Sequence, residues 1–150
     1  EMETTQIGGV DSPRRTMKAV LAAGAKLRVR ERILTDGEQR AETDFVVELN
    51  GDDCGCDLIS RSVAKGQSHQ AFRSLIRGNC RCTGHSECDA IIIGNGTVNA
   101  APELGANHAD AALIHEAAIG KIAGEQILKL CTLGLTEEEA EAKIVEGFLR

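Results

Sequence analysis

From residue 25 to about residue 104 the chain is a succession of short strand-like segments separated by Gly, Asn and Asp, and this repetition limits the fold more than any other feature. The segments are AKLRVRERIL (25–34), AETDFVVELN (41–50), CDLISRSVAKG (56–66), HQAFRSLIRGN (69–79), CDAIIIGNG (88–96) and a looser TVNAAPEL (97–104). The first alternates, with Leu27, Val29, Glu31 and Ile33 on one side and Arg28, Arg30 and Arg32 on the other. The breaks TDGEQ, NGDD, KGQS, GNCRCTG and GNG have the composition of turns. Two architectures fit this spacing: a sandwich of hairpins, and a solenoid whose coils each carry two or three strands. The continuous run AIIIG suits a strand buried on both faces. No clean two-residue hairpin signal joins the segments, and with no Trp or Tyr and only three Phe the core must be built from Ile, Leu, Val and Ala. These features lean toward the solenoid.

A length of 150 residues suits one domain. The net charge of −6 excludes bulk attraction to nucleic acid. Basic residues interleave with apolar ones in RRTMKAVLAAGAKLRVRER, as on the solvated face of a strand. No apolar run reaches the roughly 20 residues needed to cross a bilayer, so membrane insertion is not expected. EMETTQIGG reads as a start within a longer protein, and the residues present hold no signal peptide. Six cysteines in such a chain point to a reducing compartment, the cytoplasm.

Near residue 111 the texture changes. Ile119, Ile122, Ala123, Ile127 and Leu130 recur at helical spacing, and Gly134 is placed to stop that helix. Thr136 and Glu139 form a capping-box pattern for a second helix, with Ala140, Ile144 and Phe148 as its buried stripe and Val145 and Leu149 beside it. Glu137, Glu138 and Glu141 give this helix an acidic face, either solvated or a contact for a partner.

Two groups of residues could carry chemistry. Cys80, Cys82, His85 and Cys88 crowd into NCRCTGHSECD, with three readings open: metal or cluster ligation, one functional thiol, or buried structural cysteines. Cys54 and Cys56 form another pair that a solenoid could bring close, whereas Cys131 fits a helical core stripe. His115 and Glu116 are adjacent polar residues in an apolar run, costly to bury without a partner. The plainer reading puts Glu116 in a first helical turn and His115 at the surface. His69 and His108 have no comparable context.

SRSVAKGQSHQAF, GHSECDAIIIGNG, LIHEAAIGKI and LGLTEEEAEAKIVEGFL, in this order, resemble the SufB/SufD family of iron–sulfur cluster assembly proteins from about residue 25 onward. The resemblance implies a mainly β chain: a right-handed parallel β-helix followed by a C-terminal helical hairpin. The expected division is an N-terminally truncated β-helix core over 1–110 and a helical subdomain over 111–150. SufB and SufD pair through their β-helices and bind the ABC ATPase SufC through their helical ends. A cysteine desulfurase system supplies sulfur as persulfide, and ATP drives rearrangement. On this resemblance Cys88 matches the essential thiol of SufB, Glu116 its H-E-A glutamate, and His115 a histidine of SufD. Their presence in one chain fits a short, single-gene version acting as a homodimer, a SufB/SufD paralogue being the other possible mate. The implied cargo is a transient iron–sulfur cluster or iron, with nothing permanently bound. The role implied is a scaffold rather than an enzyme. Cys54, Cys56, Cys80 and Cys82 lie outside the match; these four and His85 are additional thiol or metal candidates. Two alternatives are a structural zinc protein using Cys80–Cys88, and a non-catalytic solenoid adaptor for an ABC ATPase.

Overall fold

A computed structural model describes all residues, 1–150. The chain forms nine strands and two helices. They are β1 (Met2–Ile7), β2 (Arg14–Leu21), β3 (Lys26–Thr35), β4 (Arg40–Leu49), β5 (Gly55–Ala64), β6 (His69–Gly78), β7 (Cys82–Ile92), β8 (Thr97–Ala106), β9 (Ala111–Lys121), α1 (Gly124–Cys131) and α2 (Glu137–Phe148). Odd strands make one parallel sheet in the order β1-β3-β5-β7-β9, and even strands make another, β2-β4-β6-β8. Every coil therefore contributes one strand to each sheet, and the chain is a parallel β-solenoid of about four coils followed by a helical hairpin. The solenoid expectation holds, with two strands per coil.

The ladder fixes the period. Met2 stands beside Val29, Lys26 beside Gly55, Gly55 beside Thr83 and Cys82 beside Ala111. Like residues stack at this spacing: the Asn79 amide donates to Asn50 and the Asn107 amide to Asn79, each at 2.7 Å. Gly37, Gly66 and Gly94 stack at one corner, all with positive φ. At Gly66 a Cβ would come within 2.9 Å of the Gly37 backbone nitrogen, so both the left-handed turn and the close approach require glycine.

Between the sheets lies a core of Val29, Phe45, Val47, Leu49, Leu58, Phe72 and Ile76, with Phe45 and Phe72 edge to face. In β3 the alternation read from sequence is the one observed. Val29, Glu31 and Ile33 are buried; the arginines between them face out. Glu31 is charged yet only 1% exposed. Its carboxylate accepts from Arg15 Nε at 2.8 Å, Thr43 Oγ1 at 2.7 Å and Ser60 Oγ at 2.9 Å, which offsets its desolvation.

Two boundaries differ from the sequence expectation. The helical spacing read from residue 111 applies only from Gly124, because Ala111–Lys121 is β9, which pairs in parallel with β7 along its whole length. Ile119 thus lies on a strand and Ile122 and Ala123 in a connection, and the solenoid extends through Lys121. β7 begins at Cys82, within a stretch that reads as a turn, since its register with β5 extends it (Gly55 beside Thr83). The second helix is as expected. Thr136 accepts from the Glu139 amide and Glu139 accepts from the Thr136 amide, closing the capping box. This helix folds back on the solenoid: Lys65 pairs with Glu141 at 2.9 Å and Arg32 donates to the Arg150 carbonyl. Val145 and Leu149 line a groove of about 820 Å³ with Ile7, Leu34 and Val63.

Arg15→Ala leaves the Glu31 carboxylate buried with two hydroxyl donors and no counter-ion. We expect a loss of about 3 kcal/mol, the lower end for a broken buried pair because Arg15 itself is part-exposed. A urea midpoint matching the parent protein would contradict that role.

Candidate functional site

β7 sorts its side chains by parity. Cys82, Gly84, Ser86, Cys88 and Ala90 face the interior, while His85, Glu87 and Asp89 face outward. The β9 register carries the same division across: His115 lies beside Ser86, Glu116 beside Glu87, and Ala117 beside Cys88. His115 therefore belongs to the inner face, its Nδ1 2.9 Å from the Ser86 carbonyl oxygen. Glu116 belongs to the outer face. Within one chain the sheet stands between Glu116 and the Cys88 side chain. β9 is the last strand of its sheet, so its far edge is open.

Cys88 is 1% exposed. Its ladder neighbour on β5 is Ser60, which is bonded to Glu31. Burial first, then the Asp89 and Glu31 charges, push its thiol up to about 12. At neutral pH Cys88 is a shielded, protonated thiol, not a nucleophile.

The outer face holds a different group. His85 Nδ1 lies 2.9 Å from Asp57 Oδ1 on β5, and His85 Nε2 lies 3.7 Å from Glu116 Oε2. Asp57, also paired with Arg28 at 3.2 Å, is an acceptor, so Nδ1 carries the proton. The hydrogen bond that Nδ1–H donates to Asp57 is the main reason the His85 imidazole titrates above its ordinary value, opposed by partial burial and aided by the Asp57, Glu116 and Glu87 charges. Burial, then the neighbouring Asp89, raise Glu87 above the usual carboxylate range, although Arg61 stands 3.9 Å away. Donor atoms of His85, Glu87 and Glu116 all lie within 4.8 Å of one another, close enough to share a metal ion.

Four of the other cysteines sit at the other end of the coil. Cys54, Cys56, Cys80 and Cys82 are buried; the Cys54 and Cys80 sulfurs are 3.9 Å apart, and the Cys80 thiol donates to the Leu49 and Gly51 carbonyls. The two C-x-C pairs do meet, but Cys88 lies six residues along β7 from Cys82, about 20 Å at a strand's rise. The compact zinc clasp does not form: Cys80, Cys82 and Cys88 are buried inside, and His85 points to the opposite face. Cys131 is half-buried on α1. Glu141 is engaged by Lys65, while Glu137 and Glu138 border the groove under α2.

Sequence reasoning missed Asp57 and Glu87. The signal was there: Asp57 and His85 are 28 residues apart, one coil, and Glu87 and Glu116 are ladder partners one coil apart.

Burial ranks thiol reactivity. Brief treatment of the native protein with iodoacetamide should label Cys131 first and leave Cys88 unlabelled until denaturant is added, read by peptide mass spectrometry. Early labelling of Cys88 would contradict the closed interior.

Comparison with known proteins identifies the family. The family described as SUF system FeS cluster assembly, SufBD core domain, matches residues 2–148. An iron–sulfur cluster assembly SufBD family protein of Methanothermobacter thermautotrophicus is 38% identical over 105 residues, covering 69% of this chain and 26% of that protein. One from Archaeoglobus fulgidus is 39% identical over 102 residues, covering 67% and 28%. One from Synechocystis sp. is 28% identical over 121 residues, covering 78% and 25%. The chain thus spans about a quarter of the length of these relatives. A match over residues 2–148 of 150, on a parallel solenoid carrying the Cys88 and His115–Glu116 motifs, places this chain in the SufBD family of the SUF iron–sulfur cluster assembly system.

Proposed function

We propose that the chain is a scaffold component of a SUF-type iron–sulfur assembly complex, not itself an enzyme, with ATP hydrolysis supplied by a SufC-like ABC ATPase. The observation that carries this reading is the seam between β7 and β9, where Cys88, His115 and Glu116 occupy consecutive positions of two paired strands at the open end of the solenoid. Cys88 receives sulfur as persulfide from a donor system; His115 shares its inner face, and Glu116, on the outer face, joins them around ferrous iron only when β9 moves or a second copy brings its own seam. One thiolate with a carboxylate and an imidazole makes a loose ligand set, from which a nascent cluster can leave.

In the resting chain Cys88 is sealed in, so assembly requires the seam to open. A partner ATPase can supply that motion. α1 supports such docking: none of its residues is buried, and Leu128 and Leu133 stand 65% and 73% exposed at the helix and its C-terminal turn. The open edge of β9 supports pairing with a second copy or a paralogue, which would satisfy its free backbone groups and bring two seams together. Unpaired thiols suit a reducing compartment such as the cytoplasm.

Anaerobic reconstitution with ferrous iron, cysteine and a desulfurase tests the site. Cys88→Ala and Glu116→Ala should keep the native circular dichroism and lose the visible cluster absorbance. Normal cluster yield from both variants would refute the assignment. Light scattering should return the mass of two chains; a monomer at high concentration would count against the paired seam.

A further inference from the structure

We infer that His85, Glu87 and Glu116 form a loading site for ferrous iron on the outer face of the sheet, complete within one chain and separated by the β-strands from the Cys88 thiol. The inference deepens the scaffold reading and rests on it for the identity of the cargo, though not for the existence of the site.

Geometry carries it. His85 and Glu87 are two apart on β7 and so project from the same face, and Glu116 is the ladder partner of Glu87 on β9. The three donor atoms already lie within 4.8 Å of one another, so small side-chain rotations bring them onto one ion. Asp57 fixes the imidazole by accepting from Nδ1, which leaves Nε2, the nitrogen nearer Glu116, as the ligand atom. A carboxylate backing a histidine in this way orients it and raises its basicity toward a metal. The charge balance also favours a cation. Asp57, Glu87, Asp89 and Glu116 share this face, and the nearby fixed cations are Arg28 on Asp57 and Arg61 at 3.9 Å from Glu87.

The donor set selects the metal class. One imidazole and two carboxylates suit a borderline divalent ion of the first transition row, and three protein ligands leave positions for water. Such an ion is held without being enclosed, which fits cargo that must move on. The location has a chemical consequence. Glu87 and Cys88 are consecutive residues on opposite faces, so iron and the sulfur-accepting thiol are neighbours along the chain and yet out of contact. Iron can wait there without meeting sulfide until the β7–β9 seam opens.

The test is anaerobic calorimetric titration of the full chain with ferrous iron and no sulfur source, with the urea midpoint of each variant as a folding control. We expect one ion per chain. His85→Ala and Glu87→Gln should each weaken binding at least tenfold, whereas Cys88→Ala should bind as the parent does. Asp57→Asn should weaken binding about 10- to 100-fold and change the His85 tautomer seen by nitrogen NMR, as expected of a positioning residue. Unchanged affinity in both His85→Ala and Glu87→Gln would overturn the site, as would loss of binding in Cys88→Ala or a stoichiometry of one ion per two chains. Because no cluster is formed in this assay, iron binding with failed reconstitution, or the reverse, separates this inference from the scaffold role.

Discussion

Parallel pairing of each coil with the next is the constraint on which everything else depends. A strand in this solenoid takes its backbone partners only from the same sheet, 27 to 29 residues away in sequence. Residues remote along the chain thereby become fixed neighbours, while adjacent residues are sent to opposite faces. The same rule that puts Glu116 beside Glu87 separates Glu87 from Cys88. A site here is built by register, and a one-residue slip of β9 against β7 would exchange His115 and Glu116 between interior and exterior.

The interior is less uniform than the apolar composition suggests. Apolar residues fill the coil at the Leu49, Leu58 and Ile76 level, but Glu31, Thr43, Ser60, Ser74 and Ser86 are all buried and hydrogen-bonded in its middle. Cys88 lies beside this polar stretch. The desolvation of Glu31 is offset only because three donors from β2, β4 and β5 converge on it. That network holds the two sheets in one relation to each other, and it also raises the thiol's reluctance to ionise. The carboxylate that supports the structure also adds to the raised pKa of the thiol, after burial and Asp89.

Much of this was legible in the sequence. The segments starting at 25, 41, 56 and 69 correspond to β3, β4, β5 and β6 within a residue or two, because alternation and turn residues are local signals. The capping box at Thr136 was legible for the same reason. β9 was not. Ile119, Ile122, Ala123, Ile127 and Leu130 fit a helical period, and what makes the first part a strand is the free edge of β7 waiting beside it. β1 was missed because METTQI carries little apolar character and owes its strand to β3. The first residues of β7 were hidden by Gly84 and by having only one β-branched residue, Thr83, among them. The outer-face cluster could have been found by stepping one coil at a time, the spacing announced by Asn50, Asn79 and Asn107 and by Gly37, Gly66 and Gly94. Periodicity within a window of ten residues does not contain that information.

The closed state of the thiol and the open edge of β9 belong to one argument. An internal strand of this solenoid is pinned by two ladders, but β9, like the other end strands β1, β2 and β8, is pinned by one, so it is less costly to displace than β7. Its inner residues are also the least enclosed: from Glu116 to Lys121 every residue is exposed, whereas the matching part of β7 is buried or half-buried. Moving β9 away would uncover Cys88 from one side only, leaving Ser60 and the Glu31 network in place on the other. Water reaching Cys88 would remove the burial that dominates its raised pKa and bring the thiol back toward its ordinary range, where a reactive thiolate fraction can form. The same displacement carries Glu116 and its share of the outer cluster with it. On the scaffold and loading-site proposals, access to sulfur and release of the metal would be coupled through a single strand, and a partner gripping the α1–α2 hairpin, joined to β9 by Ile122 and Ala123, would hold the lever that moves it.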